Sequence, residues 1–195
     1  MNQLKRNTIQ LYASVLFLIA AIAPSLPPFK YLLASSMVIH MLIQIPALVL
    51  AGYWLTAQNK PLNSALSLSL SCWLWILLAS TFWMLPISLD KALISSNWDI
   101  FKIITLVLSG MLLKLAFAGP KVLSLFFAGS SLMMLFSVGH FYQDSESRLC
   151  NSYLLATQQT TGLGLMLLAA ALLLFALYKL RHDIFEPSQN SQIND

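Results

Sequence analysis

Two places in this chain gather side chains able to do chemistry. One is SSMVIHMLIQIPALV, in which Met37, His40, Met41 and Gln44 fall at i, i+3, i+4 and i+7 and so share one helical face. Imidazole beside thioethers is a soft environment suited to Cu(I). The same pattern also describes a packed histidine bonded to Gln44 or to a nearby carbonyl, with methionines filling gaps around it. The other place is GHFYQDSESRLCNSY, residues 139–153, which holds His140 and Cys150 together with Asp144, Glu146 and Arg148 in a chain that is only 9% charged. With Met84 it offers imidazole, thiol and thioether, again a donor set for copper. Its plainer reading is a wet loop, with Cys150 a small residue heading the next helix.

The elements that must carry these residues follow from composition. The chain is 58% hydrophobic, with a mean hydropathy of +0.74. Lys, Arg, Asp and Glu are absent from 31–59, 61–89, 122–143 and 149–178. Each of these runs exceeds the roughly 20 apolar residues that cross a bilayer core. Backbone groups in lipid must be paired within their own segment, so the spans are helices; a barrel would alternate over shorter strands. The expectation is an all-α polytopic transmembrane bundle of about six spans, near 9–27, 31–56, 64–86, 100–118, 121–141 and 153–178. Residues 1–182 form one transmembrane domain and 183–195 a polar cytoplasmic tail. Lys5, Arg6 and the apolar stretch ending in Ala21-Ile22-Ala23 also resemble a signal peptide. Pro24, directly after the would-be cleavage point, favours a retained anchor.

Orientation follows from the basic residues. With the N-terminus inside, Lys5, Arg6, Lys60, Lys114, Lys121, Lys179 and Arg181 face the cytoplasm, against Lys30, Lys91, Lys102 and Arg148 outside. The bias puts both termini in the cytoplasm. The acidic Asp90, Asp99, Asp144 and Glu146 then lie on the outer face, and Trp83, Trp98, Phe141 and Tyr142 read as an interfacial aromatic belt. Lys102 and Lys114 sit near the ends of the fourth span and are expected to snorkel to water.

Depth narrows the chemistry. His40 falls about 13 Å below the outer boundary at 1.5 Å per residue, whereas His140 lies near that boundary, about 12 Å higher. A haem held between the two imidazoles is therefore disfavoured. Cys72, in mid-span, is separated from Cys150 by a similar depth, well beyond the roughly 7 Å between Cα atoms that a disulfide allows. Cys150 is thus expected to be an unpaired outer thiol. Basic residues are scattered singly, without the clustered stripe of a nucleic-acid surface. There is no glycine-rich phosphate loop, no HExxH and no pair of intramembrane carboxylates. Binding and transfer are expected, not catalysis. Gln158 and Gln159 can line a cavity or tie helices together, and Gly162 and Gly164 suit close helix packing.

Three pieces together carry a family likeness. His40-Met41, then Trp83-Met84-Leu85-Pro86 with Asp90, then Gln158-Gln159 followed by Gly162 and Gly164, resemble the CtaG-type membrane proteins. The likeness runs in patches from about residue 37 to 167. Gln44 stands where that pattern has a second histidine, Asn97-Trp98-Asp99-Ile100-Phe101 lacks the histidine of its counterpart, and Gln158 replaces an acidic residue. The resemblance implies a bacterial inner-membrane protein that helps assemble a haem–copper oxidase. Its partners would be other membrane proteins, the oxidase among them. Taken with the residue types and depths above, the expectation is Cu(I) presented from the outer half, with His40 and Met41 at the buried end, Met84, His140 and Cys150 at the mouth, and Met37, Gln44, Gln158 and Gln159 along the cavity. A metal-free accessory subunit of a respiratory complex is the alternative. A small-solute transporter is a third reading, which the lack of any buried charge pair in the sequence pattern disfavours.

Overall fold

The computed structural model describes residues 2–26, 29–56, 65–149 and 152–185. Over these it is helical throughout, without strands. Helix α1 covers Asn2–Ile22 and ends in a 3-10 turn, Ala23–Ser25, which carries Pro24. Short α2 (Lys30–Ser35) is followed by an extended residue at Ser36. A π turn, Ile39–Gln44, then runs directly into α3 (Ile45–Leu55). The bundle is completed by α4 (Leu66–Trp83), α5 (Pro86–Ile94), α6 (Ser96–Phe117), α7 (Lys121–Asp144) and α8 (Leu155–Phe185).

Four of these helices, α4, α6, α7 and α8 as far as Lys179, are long and apolar enough to cross a membrane. The apolar stretches of the first two expected spans are shorter, Tyr12–Ser25 and Ile39–Leu55. The second expected span is interrupted for a reason written in the sequence. Pro46 has no N–H to give and its ring crowds the carbonyl of Leu42. The chain widens instead, and the Ile45 N–H reaches the His40 carbonyl five residues back. The segment 86–99, expected as an outer connection, is α5 and the first turn of α6. Pro86 at the first helical position and the extended Leu85 before it start α5.

Two helix pairs approach backbone to backbone. At Gly52 on α3 and Gly110 on α6, an added Cβ would lie 2.1 Å from the Val107 carbonyl oxygen and 2.0 Å from that of Val49. Gly139 on α7 and Gly162 on α8 face each other in the same way, each blocking the other's Cβ with its carbonyl at 2.7 and 2.5 Å. Small residues at such crossings let helices pack closely where lipid supplies no hydrophobic drive, as expected for Gly162. The core lies between the pairs, around Met37, Met41, Leu48, Trp83, Leu106 and Leu165. A second cluster, Cys72, Trp73, Ala116 and Phe127, closes the other end of α4 and α6.

The aromatic belt needs correcting. Trp83 and Tyr142 are fully buried core residues; the Trp83 indole N–H donates to Thr105 Oγ1 at 2.8 Å, and the Tyr142 hydroxyl donates to the Met84 carbonyl. Phe141 is exposed and Trp98 half-buried, with the Lys91 ammonium 5.0 Å above its ring.

Candidate functional site

The wider π turn sends His40, Met41 and Gln44 inward together, and all three are buried. Opposite them, the first two turns of α6 present Asp99 and Lys102. Both are buried, and the lysine is wholly enclosed. Their ion pair measures 2.7 Å. This overturns the expectation that Lys102 snorkels and that Asp99 decorates the outer surface. It also supplies the buried charge pair whose absence had weighed against ion-coupled transport.

The Lys102 ammonium sets the geometry. Its three donors meet three acceptors: Asp99 Oδ1 at 2.7 Å, His40 Nε2 at 2.9 Å and Gln44 Oε1 at 3.0 Å. An ammonium has three N–H bonds and no acceptor, so its capacity is filled. The network then closes on itself. Gln44 Nε2 donates to Ser25 Oγ at 2.8 Å, and Ser25 Oγ donates to the same Asp99 oxygen at 3.2 Å. Gln44 Nε2 also reaches the Ala21 carbonyl at 3.4 Å, tying the ring to the end of α1. On the far side of the imidazole, His40 Nδ1 lies 2.7 Å from the Tyr153 hydroxyl. Because Nε2 accepts from lysine, the neutral ring carries its proton on Nδ1 and donates it to Tyr153.

The other expected residues separate from this centre. Met37 and Met41 are buried in the apolar core. Met84 is half-buried beside that core. His140 is exposed, on a face of α7 where Phe136, Ser137, Phe141, Asp144 and Ser145 line a shallow open crevice with it. His40 and His140 thus occupy unlike environments, one enclosed and one open. Cys150 lies outside the described residues, and Cys72 is a buried free thiol. Gln158 is buried, and its amide is engaged by the preceding loop and the last turn of α7: Oε1 accepts from Leu149 N at 2.9 Å, and Nε2 reaches the carbonyls of Tyr142 and Ser147 at 3.4 and 3.5 Å. Gln159, its neighbour, is exposed. The loop itself is solvated, with Glu146 and Arg148 exposed.

Asp99, Lys102, Ser25 and Tyr153 escaped the reading of the sequence. One signal was available: Asp99 and Lys102 are three apart on a helix, opposite charges one turn from each other within an apolar segment. Nothing local marks Ser25 or Tyr153, which arrive through the fold.

A copper ion at His40 does not fit this arrangement. Both ring nitrogens are engaged, and Nε2 faces a positive ammonium 2.9 Å away. A metal there would have to displace Lys102 or Tyr153. Among the described residues no group of three or more His, Cys, Asp or Glu side chains is placed to hold a metal ion. No protein-family model, curated protein or solved structure matches the chain.

Proposed function

We propose that this chain is a bacterial inner-membrane protein, with six membrane-inserted segments and both termini in the cytoplasm, that assists assembly of a haem–copper oxidase as an accessory partner without holding a metal at His40. The observation that carries the metal-free part is the saturated Lys102 ammonium, bound by the very side chains that would otherwise be ligands. The oxidase part rests on the resemblance of His40-Met41, the Trp83–Pro86 segment and Gln158-Gln159 to the CtaG-type proteins. In this reading the polar centre fixes the relative positions of α1, α3, α6 and the Tyr153 loop, and the exposed apolar faces of the helices meet lipid and partner. The test is deletion of the gene in its host, with oxidase activity and subunit levels measured, and tagged protein examined for co-purifying oxidase subunits. Normal oxidase and no co-purification would sink the reading.

Copper delivery from the outer mouth is the second reading. It is favoured by His140 and Asp144, one helical turn apart, both lining the open crevice of α7 and lying ten and six residues before Cys150. Anaerobic loading with Cu(I) in mild detergent decides it. Copper that is retained by the wild type and lost in His140→Ala or Cys150→Ala supports delivery; retention in both variants removes the mouth from consideration. Solute flux in proteoliposomes, abolished by Lys102→Met, would replace both readings with transport.

A further inference from the structure

We propose that Asp99, His40 and Gln44 form a cation site whose resident ion is the chain's own Lys102 ammonium, and that shortening Lys102 turns it into a binding site for a borderline divalent metal ion. The inference rests on the geometry at His40 and is independent of which partner the chain serves.

Three features separate this cluster from an ordinary buried ion pair. The acceptors come from three chemical classes, carboxylate, imidazole and amide carbonyl, and converge on one point from two separate elements. Imidazole nitrogen and carboxylate oxygen are the usual ligands of Zn2+ and its Co2+ surrogate, and an amide oxygen is compatible with them. Each acceptor also has a further partner, as metal ligands do. Tyr153 fixes the His40 ring through Nδ1, Ser25 supports Asp99 Oδ1, and Ser25 and the Ala21 carbonyl anchor the Gln44 amide. Finally, the site is sealed: His40, Gln44 and Lys102 are 1% exposed or less, so the ammonium faces protein on every side. The ligands stand 2.7–3.0 Å from Nζ. A metal ion needs them at about 2.0–2.2 Å, so each moves inward by less than about 1 Å. The space vacated by the lysine chain admits water as a fourth ligand. In the native protein the tethered ammonium balances the carboxylate and keeps metal ions out.

The probe is Co2+ added to the purified full-length chain in mild detergent, read by visible d–d absorption and by metal content after desalting. Lys102→Ala is expected to bind about one Co2+ with a low-coordinate spectrum, and Zn2+ is expected to displace it and raise the unfolding temperature. Wild type is expected to bind none there. Lys102→Ala/His40→Ala and Lys102→Ala/Asp99→Asn are expected to lose the signal. A folded Lys102→Ala protein without Co2+ overturns the proposal, as does binding that survives both double substitutions or equal His40-dependent binding by wild type. Should Lys102→Ala fail to fold, 15N NMR of wild-type His40 decides. A neutral ring protonated on Nδ1 shows Nε2 accepting from the ammonium; a ring protonated on Nε2 overturns the cation cage.

Discussion

His40 and Tyr153 stand 113 positions apart in the chain and 2.7 Å apart in space, ring Nδ1 against phenol hydroxyl. This one bond joins the π turn to the segment that enters α8, and so links the two ends of the bundle's polar centre. Tyr153→Phe keeps the ring and removes the partner of a buried N–H. It should destabilise the protein by about 1–3 kcal/mol, measured by thermal or denaturant unfolding in detergent. Tyr178→Phe, on an exposed position of α8, is the control and should change little.

The Asp99–Lys102 pair should behave as a unit. Replacing either partner alone, as Asp99→Leu or Lys102→Leu, strands a buried charge and should cost about 3–5 kcal/mol. The double replacement should cost clearly less than the two single values together, because neither charge is left behind. Additive costs in the double-mutant cycle would mean that the two side chains do not interact.

The crossing of α3 and α6 offers the sharpest steric test. Gly52→Ala and Gly110→Ala each force a methyl group to about 2 Å from a backbone oxygen, which the helices relieve only by separating. Both should lower the unfolding temperature strongly or abolish expression. Gly129→Ala has open space around it and should be neutral or slightly stabilising through its better helix propensity. Equal behaviour of the three variants would refute the close crossing.

Gln158 holds the loop before α8 through Leu149 N and the Ser147 carbonyl. Gln158→Ala should therefore raise amide hydrogen exchange and proteolysis around Ser147 and Leu149 while helix content stays the same. Gln159→Ala, one position on and exposed, should leave both readouts unchanged.

The sequence made the class of fold legible and hid the centre. Long charge-free runs announce apolar helices, and α4, α7 and α8 follow from them, whereas α6 carries Asp99, Lys102 and Lys114 and is charge-free only over 103–113. The break before α3 was equally written in Pro46, yet a hydropathy pattern averages over it. His40 and Gln44 were legible because a polar side chain deep in an apolar run needs a partner. The identity of that partner was not legible. Lys102 sits near the start of α6, where a long side chain in isolation reaches for water. Only the fold brings His40 and Gln44 of the π turn within reach of its ammonium and so turns it inward. The belt failed for a related reason: Trp83 and Tyr142 have interfacial chemistry, but the fold gives their polar atoms Thr105 and the Met84 carbonyl.

That Asp99 and Lys102 share one helix matters before the protein is folded at all. A lone charge in an entering segment opposes insertion, most strongly at the segment's centre, but these two emerge from the ribosome three residues apart and neutralise each other within a single turn. The segment that becomes α6 can thus partition into lipid carrying its own counterion. His40 and Gln44 have already been made by then, whereas Tyr153 is synthesised last. Tyr153 can therefore reach His40 only after both members of the Asp99–Lys102 pair have been made.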